Sequence, residues 1–316
     1  MHRIAVLIPC YNEALTIVKV VSDFVHALPE GSGVYVYDNN STDGTAALAA
    51  SAGAIVRYET QQGKGNVIRR MFREIDAECY ILVDGDDTYP ASHALEMASK
   101  VLENDVDMVI GDRLSSTYFQ ENKRLFHNFG NTFMRTCINL LFHAHIKDIL
   151  TGYRAFSYQF VKSFPILSEG FEIETEMTIQ CIDKNMKYEN TVIDYRDRPK
   201  GSSSKLNTIQ DGIRCIFTMM RLFRHYRPYR FWSIIAILLA AIATSFFCPL
   251  FYHYLQTGLV PQFPTLIVCG FVGLAAVLSY FTGMILETIR QKNRQDFEME
   301  LHHIHLAAKL LKNGKG

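Results

Sequence analysis

Carboxylates cluster directly after an apolar run in the first hundred residues. The segment YILVDGDD ends with Asp84, Asp86 and Asp87, so three carboxylates follow a strand-like stretch within four positions. Such a cluster repels itself unless a cation neutralises it, and Mg²⁺ and Mn²⁺ prefer oxygen ligands, using one or two carboxylates together with substrate phosphates. The pattern indicates metal-assisted binding of a phosphorylated substrate. Taken alone, D-x-D is also a common acidic turn between a strand and a helix.

Two further polar loops accompany this cluster. Asp38 follows another apolar run in the segment DNNSTDGT (38–45), and its side chain could accept hydrogen bonds from a base or a ribose, or only stabilise the turn. Asp43 and Gly44 fit a turn that opens a helix, where a short polar side chain caps free N–H groups. The third loop, PCYNE (9–13), comes first along the chain. All three loops are candidates for ligand binding.

The elements that must position these loops are strands and helices in alternation. Apolar runs predict strands at 4–8, 34–37, 54–57, 80–83 and 108–110. Helical stretches near 12–27, 42–51, 64–75 and 90–103 separate them. This alternation predicts an α/β fold with a doubly wound, mostly parallel sheet. In such sheets ligands bind beyond the carboxyl ends of the strands, which is where the three polar loops fall.

The order and spacing of the motifs resemble a known family. IPCYNE, DNNSTDGT and DGDD, followed by Asp148 with TGYRAF (151–156) and by RPKGSSSKL (198–206), are similar to the family 2 glycosyltransferases with the GT-A fold. Within that family the chain resembles the polyprenyl-phosphate branch, that of dolichyl-phosphate mannose synthase and the GtrB-type undecaprenyl-phosphate glucosyltransferases. Several relatives follow D-x-D with Leu-Gln, whereas this chain has Asp87 and Thr88. The identity of a third metal ligand therefore stays open.

The resemblance implies roles for residues on the donor side. Six residues are expected to bind the nucleotide sugar. Pro9, Tyr11 and Glu13 would shape the nucleotide pocket. Asp38 would bind the base or ribose, Asp84 would face the ribose or sugar, and Arg154 would approach the phosphates. Asp86, with Asp84, would hold Mg²⁺ or Mn²⁺ on the donor diphosphate. Arg113, in GDR after the fifth strand, is a further candidate near the phosphates. An arginine at a strand end is more often part of a surface ion pair, and that alternative applies to both arginines.

The acceptor side rests on the basic, serine-rich loop. Arg198, Ser204 and Lys205 lie shortly before a predicted interfacial helix, where cationic side chains can grip an anionic phosphate. The same loop could instead be a flexible Gly/Ser linker. A phosphate monoester has its second pKa near 6 and is already nucleophilic at neutral pH, so no general base is required. The residues expected to carry an inverting transfer are Asp86, Arg113, Arg198, Lys205 and Glu172. Those expected to bind the acceptor phosphate are Arg113, Arg198, Ser204 and Lys205.

Composition separates a polar region from an apolar one. The 316 residues carry 32 Lys+Arg and 32 Asp+Glu, a balance that excludes a basic nucleic-acid binder, yet no charged residue occurs between Phe231 and Leu286. This predicts a soluble domain at 1–204, to which the resemblance assigns the GT-A fold, followed by a membrane region. The membrane region comprises an interfacial amphipathic helix at 205–228, a transmembrane pair within 229–286 (about 231–252 and 265–286), and a C-terminal helix at 287–316. Arginines and lysines flank the pair but are absent from its connection, and no signal peptide precedes Ile4. We therefore expect an integral plasma-membrane protein with its catalytic domain and both termini in the cytosol.

The sequence thus predicts a membrane-bound hexosyltransferase. It would transfer a hexose from a nucleotide sugar to polyprenyl phosphate at the cytosolic face, with UDP-glucose or UDP-N-acetylglucosamine favoured as donor and GDP-mannose next. The lipid product would serve glycan or cell-envelope modification. Alternatives are a processive polysaccharide synthase, although its Q-x-x-R-W motif is missing from this sequence, and a non-catalytic membrane scaffold. The C-terminal helix could pack back on the interfacial helix or serve in homo-oligomerisation.

Overall fold

The chain folds as the alternation of apolar runs predicts. The computed structural model describes residues 2–115, 135–140, 142, 144–170, 172–196, 220–221, 223–260 and 262–313. The strands within these residues are β1 His2–Cys10, β2 Gly33–Asp38, β3 Ile55–Tyr58, β4 Ala77–Leu82, β5 Met108–Asp112, β6 Arg154–Ser157 and β7 Tyr188–Val192. The helices are α1 Ile17–Ala27, α2 Thr45–Ser51, α3 Lys64–Glu74, α4 Ala94–Glu103, α5 Tyr158–Ser163, α6 Ile173–Asp183, α7 Pro228–Thr257 and α8 Phe263–Asn313. All five predicted strands are confirmed.

The strands form one mostly parallel sheet in the order β3-β2-β1-β4-β6-β5-β7. β6 runs antiparallel to both of its neighbours, and every other pairing among the described strands is parallel. β1 lies between β2 and β4, so the segments that leave these three strands emerge side by side. This is the arrangement that the doubly wound prediction requires.

Apolar side chains cover both faces of the sheet because alternate residues of a strand point to opposite sides. Ile4, Val6 and Ile8 of β1 belong to a buried cluster with Val20 and Phe24 of α1. Each fully buried side chain of this kind contributes roughly 1.5–3 kcal/mol to stability. These packed layers hold the strand ends in place.

A second group of rings packs around α3. The centroid of the Phe72 ring lies 6.4 Å from that of Tyr80, 5.8 Å from that of Phe156 and 6.4 Å from that of Phe164. The Phe156 and Phe160 rings stack at 4.9 Å. This cluster joins α3 to β4, β6 and α5, and so fixes the helix whose first turn enters the candidate site.

Two long apolar helices end the chain. α7 has 30 residues and α8 has 51, and both are long and apolar enough to cross a membrane. α7 begins at Pro228, a residue suited to the first turn because that turn needs no N–H donor. The predicted second span and the predicted C-terminal helix are one continuous helix. Of the predicted interfacial helix at 205–228, residues 205–219 and 222 lie outside the described residues.

The chain divides into two compact units. The first comprises Met1–Gly212 together with Phe297–Gly316, and the second comprises Ile213–Asp296. Within the first unit, the Lys184 ammonium lies 4.9 Å from the centroid of the Phe297 ring, which is buried. The end of α8 therefore packs on the α/β domain, an arrangement that the sequence did not predict.

Candidate active site

Three neighbouring strand ends bring the polar loops together. Cys10 at the end of β1 is in register with Asp38 at the end of β2, and the Asn39 N–H donates to the Cys10 carbonyl oxygen at 2.9 Å. On the other side of β1, the Val83 N–H donates to the Leu7 carbonyl oxygen at 3.1 Å, just before the D-x-D residues. The loops 9–13, 38–45 and 84–90 consequently meet at one edge of the sheet.

Hydrogen bonds lock the first two loops to each other. Backbone N–H groups of one loop donate to side chains of the other over 2.9–3.0 Å, and the pairs are Asn12 N–Ser41 Oγ, Thr42 N–Asn12 Oδ1, Glu13 N–Thr45 Oγ1 and Ala14 N–Asp43 Oδ2. Burial by itself raises the pKa of Asp43, but hydrogen bonds from Thr45 and Ala14 outweigh it and lower the pKa. The Asp43 carboxylate is therefore structural, as the helix-opening turn predicted.

Asp38 differs from Asp43 in having an unused oxygen. Its Oδ2 accepts the Ser41 N–H at 3.0 Å, whereas its buried Oδ1 has no hydrogen-bond partner among the described residues. The residue is only 3% exposed. A buried carboxylate oxygen without a donor is costly, which makes this atom suited to an N–H or O–H of a bound ligand. Beside it, Tyr11 is 38% exposed, while Pro9 and Glu13 are partly buried.

The D-x-D turn is held from three sides. Thr16 Oγ1 donates to the Gly85 carbonyl oxygen at 2.6 Å, and Thr88 Oγ1 donates to Asp86 Oδ1 at 2.6 Å. Asp87 adopts a φ of 57°, and its carboxylate lies 2.7 Å from the Lys19 ammonium. Asp86 is 3% exposed. Thr88 therefore orients Asp86, while Asp87 forms an ion pair with α1.

Lys64 is a site residue that the sequence did not single out. Its Nζ lies 2.5 Å from Asp84 Oδ1 and 2.6 Å from Glu174 Oε1. The signal that could have revealed it is the segment Gly-Lys-Gly directly before an amphipathic helix, since such a segment places the lysine in the first helical turn. Its partner on α6 could not be recognised, because Glu174 is 110 residues away along the chain.

The thiol of Cys10 reports the charge of this region. Burial first, and then the negative charges of Glu13, Asp38, Asp84 and Asp86, raise the pKa of the thiol well above its ordinary value. Four carboxylates therefore surround the end of β1. A concentration of negative charge of this kind favours the binding of a cation.

Arg113 lies at the end of β5 and turns toward the same edge. Its Nε donates to Asp148 Oδ2 at 2.7 Å, its Nη1 to the Tyr89 hydroxyl at 3.2 Å, and its Nη2 to the Leu150 carbonyl oxygen at 3.0 Å. The guanidinium also lies 5.8 Å from the centroid of the Tyr195 ring. Arg113 is thus linked through Tyr89 to the segment that follows D-x-D. A contact between Arg113 and the donor or acceptor phosphates stays a prediction.

Arg154 is enclosed by the protein. It is completely buried and donates to the carbonyl oxygens of Thr151 and Ile149 and to the hydroxyl of Thr178. Burial lowers its pKa to about 10, against the opposing effect of Glu174. These contacts hold the segment before β6 in place, and a direct contact with a donor phosphate stays a prediction.

The three glutamates of EIETE lie at the start of α6 and therefore point in different directions. Glu174 turns inward to Lys64, Glu176 accepts the N–H groups of Leu167 and Ser168, and Glu172 is exposed. Of the two arrangements open from the sequence, the helical one is confirmed. Whether Glu172 lines the site stays a prediction.

The basic loop with Arg198, Ser204 and Lys205 lies outside the described residues, but the segment that leads into it is described. The Arg196 N–H donates to the Thr88 carbonyl oxygen at 3.0 Å, and its guanidinium lies 3.8 Å from Asp87. The Tyr195 and Tyr89 rings meet edge to face at 6.0 Å. Arg196, two residues before the basic loop begins, is therefore still in contact with the D-x-D turn.

The residues at this edge fit a hard divalent cation. Asp84 and Asp86 offer only oxygen atoms, and Mg²⁺ or Mn²⁺ usually takes one or two carboxylates with substrate phosphates completing its ligands. No group of three or more His, Cys, Asp or Glu residues at metal-binding distance occurs in the described part of the chain. A site of two carboxylates completed by the substrate's diphosphate does not need one.

Known proteins share both the sequence and the fold. Residues 5–163 match the family model described as glycosyl transferase family 2. The chain belongs to this family. It is 37% identical to the glycosyltransferase AglJ of Haloferax volcanii over 211 residues, which is 66% of this chain and 68% of that protein. Protein RfbJ of Shigella flexneri is 56% identical over 111 residues, covering 35% of this chain and 85% of RfbJ.

Solved structures support the GT-A fold for this family member. Glucosyl-3-phosphoglycerate synthase from Mycobacterium tuberculosis, in complex with Mn²⁺, UDP and phosphoglyceric acid, matches with a TM-score of 0.55 at 18% identity. The match covers 70% of this chain and 78% of the synthase. The same enzyme has been solved with Mn²⁺ and UDP-glucose. The chain is therefore a glycosyltransferase whose fold occurs in Mn²⁺-binding enzymes.

Proposed function

We propose that this glycosyltransferase moves a hexose from a nucleotide sugar to polyprenyl phosphate at the cytosolic face of the plasma membrane, with inversion at the anomeric carbon. The observation that carries the proposal is the convergence at one sheet edge. There the unpartnered Asp38 oxygen, the D-x-D carboxylates and Arg113 meet the segment that leads into the basic loop. Donor binding and acceptor binding are thereby attributed to adjoining parts of one edge.

The donor would bind along β1, β2 and β4. Asp38 Oδ1 would accept a hydrogen bond from the nucleotide, and Asp84 and Asp86 would hold Mg²⁺ or Mn²⁺ on the diphosphate. The bound ion would neutralise the negative charge that develops on the departing nucleoside diphosphate. UDP-glucose and UDP-N-acetylglucosamine are the favoured donors, in keeping with the UDP-glucose bound by the Mycobacterium tuberculosis synthase. GDP-mannose comes next.

The acceptor would approach from the side of Arg196. The basic residues of 198–205 would bind the lipid phosphate, with Arg113 close to the D-x-D turn. Helices α7 and α8 would anchor the chain, because a lipid acceptor is accessible only at the membrane surface. Lys and Arg flank the apolar helices and are absent from the connection between them, which supports cytosolic termini. Agl6 of Haloferax volcanii, named a low-salt glycan biosynthesis hexosyltransferase, is 26% identical over 221 residues, or 69% of this chain and 53% of Agl6.

The reaction needs alignment more than proton transfer. A phosphate oxygen of the acceptor attacks the anomeric carbon while the bond from that carbon to the diphosphate oxygen breaks, so the nucleoside diphosphate leaves with the electron pair. The acceptor phosphate is largely dianionic at neutral pH and needs no base to activate it. The protein's contribution is to hold both phosphates by fixed cationic and hydrogen-bonding groups and to exclude water.

The experiment is radiolabelled sugar transfer by the full-length protein in detergent. UDP-glucose, UDP-N-acetylglucosamine and GDP-mannose are each supplied with undecaprenyl or dolichyl phosphate and with Mn²⁺ or Mg²⁺. We expect metal-dependent label in the lipid phase for one donor, and a loss of at least about 100-fold in Asp86→Ala, because developing charge on the leaving group is no longer neutralised.

Asp87→Asn is the matched comparison within the same turn. Asparagine tolerates positive φ, and the change removes only ion pairs with the exposed side chains of Lys19 and Arg196, so we expect transfer within about threefold of wild type. Label released as free sugar, or no label transferred from any donor by a protein that binds nucleotide, would contradict the lipid acceptor. Polymer of increasing length would favour a processive synthase, and failure to bind any nucleotide would favour a scaffold.

A further inference from the structure

Lys64 joins three elements that lie far apart along the chain. It is the first residue of α3, and its ammonium contacts Asp84 of the D-x-D turn at 2.5 Å and Glu174 of α6 at 2.6 Å. The side chains of Lys64 and Glu174 are 9% and 6% exposed, whereas that of Asp84 is 28% exposed. Asp84 is therefore the member of this trio that faces the open edge.

The backbone around Lys64 leaves the ammonium little freedom. The Gly65 N–H donates to the Glu169 carbonyl oxygen at 2.9 Å, and a Cβ at position 65 would overlap the Ser168 carbonyl. One turn further, Arg69 Nε donates to the Ile166 carbonyl oxygen at 3.0 Å. The first turn of α3 thus packs tightly against segment 166–169, which fixes the position of the Lys64 backbone relative to Asp84.

Asp84 is confined from its other side as well. A Cβ on Gly152 would overlap Asp84 Oδ2, so that oxygen lies against the bare backbone of the TGYR segment. One carboxylate oxygen is held by Lys64 and the other is packed against Gly152. The carboxylate consequently has a defined orientation before any ligand arrives.

The charges of Lys64, Asp84 and Glu174 also determine the net negative charge that a cation meets at the D-x-D turn. Lys64, Asp84 and Glu174 together carry one net negative charge, and Asp86 brings the sum to two. The Lys64 ammonium contacts both carboxylates, and two negative charges at this distance favour its charged form. Without Lys64, three carboxylates would be left without this internal counter-charge.

We propose that Lys64 and Glu174 are positioning residues that hold Asp84 in place for the metal–nucleotide complex. Glu174 acts by neutralising and anchoring the lysine, which assigns it a role other than general base. The inference rests on the proposed function for the identity of the ligand. Independently of that identity, the inference states that the orientation of the Asp84 carboxylate, in addition to the net charge of the site, determines how tightly the metal is bound.

The test measures Mn²⁺ binding by the full-length protein, from the electron paramagnetic resonance signal of free Mn²⁺. UDP and GDP are each tried with wild type, and the nucleotide that binds more tightly is used throughout. We expect Lys64→Met to weaken Mn²⁺ binding at least about tenfold, since groups that orient metal ligands typically influence affinity by that factor or more. Lys162→Met removes another largely buried ammonium, one that bonds the Phe72 and Ile75 carbonyl oxygens, and should leave Mn²⁺ affinity within about twofold.

The double variant Lys64→Met with Glu174→Gln separates position from charge. It keeps the wild-type sum of two negative charges and removes the unpaired buried carboxylate that could unfold the single variant. We expect Mn²⁺ binding to stay at least about fivefold weaker than in wild type. Recovery to the wild-type affinity would overturn the positioning role, as would unchanged binding in Lys64→Met. Sugar transfer by wild type is measured separately. If polyprenyl phosphate proves not to be the acceptor, the Mn²⁺ affinities still test the positioning role.

Discussion

Asp38 and Arg154 are both buried charged residues that the sequence predicted to contact the donor, yet the protein surrounds them differently. Asp38 ends β2 and keeps one buried oxygen without a partner among the described residues. Arg154 begins β6 and donates to two carbonyl oxygens and a hydroxyl. Since unsatisfied buried polar atoms are costly, the first arrangement is suited to a ligand and the second to the fold. Burial and charge alone therefore do not distinguish the two residues, whereas the unused hydrogen-bonding capacity of Asp38 does.

The largest effect is expected on stability, from Arg154→Met. The substitution leaves the carbonyl oxygens of Thr151 and Ile149 and the Thr178 hydroxyl without their donor, which we expect to cost about 3 kcal/mol. Thermal unfolding in detergent measures the loss, and calorimetry on the folded protein at low temperature should give nucleotide affinity within about threefold of wild type. Unchanged stability with lost nucleotide binding would reverse the comparison and make Arg154 a ligand-binding residue.

Gly152→Ala asks whether the segment that contains Arg154 also serves the site. Two residues before the arginine, an added Cβ would overlap Asp84 Oδ2 and push that carboxylate from its position. Misplacement by about 1 Å can cost about 100-fold in rate, so we expect sugar transfer to fall by that factor. Far-ultraviolet circular dichroism and the melting temperature control for folding. Transfer near the wild-type rate would mean that the position of Asp84 is not critical.

Asp38→Asn tests the other side of the comparison. The amide can still accept the Ser41 N–H, but it then presents an NH₂ group where the unpartnered oxygen lies, and a donor on the ligand would meet another donor. We expect nucleotide affinity to fall about 10- to 30-fold, the loss of one hydrogen bond to a charged group. Calorimetric titration with UDP or GDP measures it, and Asp194→Asn, at an exposed carboxylate, is the control. Equal affinities would show that Asp38 only stabilises its turn.

The sequence was informative where the chemistry follows the strands and uninformative where it depends on packing between distant segments. The position of Asp38, Asp84 and Asp86 at one edge of the sheet is predictable because parallel strands end at that edge, and the loop after each strand is visible as a polar motif; their roles stay predictions. The sequence does not reveal the contact of Lys64 with Glu174, because tertiary packing alone brings the two together. TGYR likewise does not reveal that Arg154 turns into the interior, since the direction of β6 is set by its antiparallel pairing with β4 and β5.

Glu74 is a third charged residue to compare, one that lies near the surface and has hydrogen-bond partners. Its substitution is expected to have the smallest effect on stability. Partial burial by itself raises the pKa of Glu74, but hydrogen bonds from Arg70, Arg57 and Tyr37 outweigh it and lower the pKa to about 2. An unfolded glutamate titrates near pKa 4.3. Because the folded pKa is the lower one, the stabilisation is present above about pH 4.3 and is lost as the pH falls toward 2.

Glu74→Gln should therefore lower the free energy of unfolding by about 1 kcal/mol or less at pH 7, because the side chain is 30% exposed and solvent screens the pair. The difference between variant and wild type should shrink as the pH is lowered from 5 to 3, which melting temperatures in detergent at a series of pH values can follow. A difference that stays constant over this range would mean that packing, and not the charge of Glu74, is responsible. Nucleotide affinity at pH 7 should stay at the wild-type value, since Tyr37, the partner of Glu74 next to Asp38, points to the opposite face of β2 from Asp38.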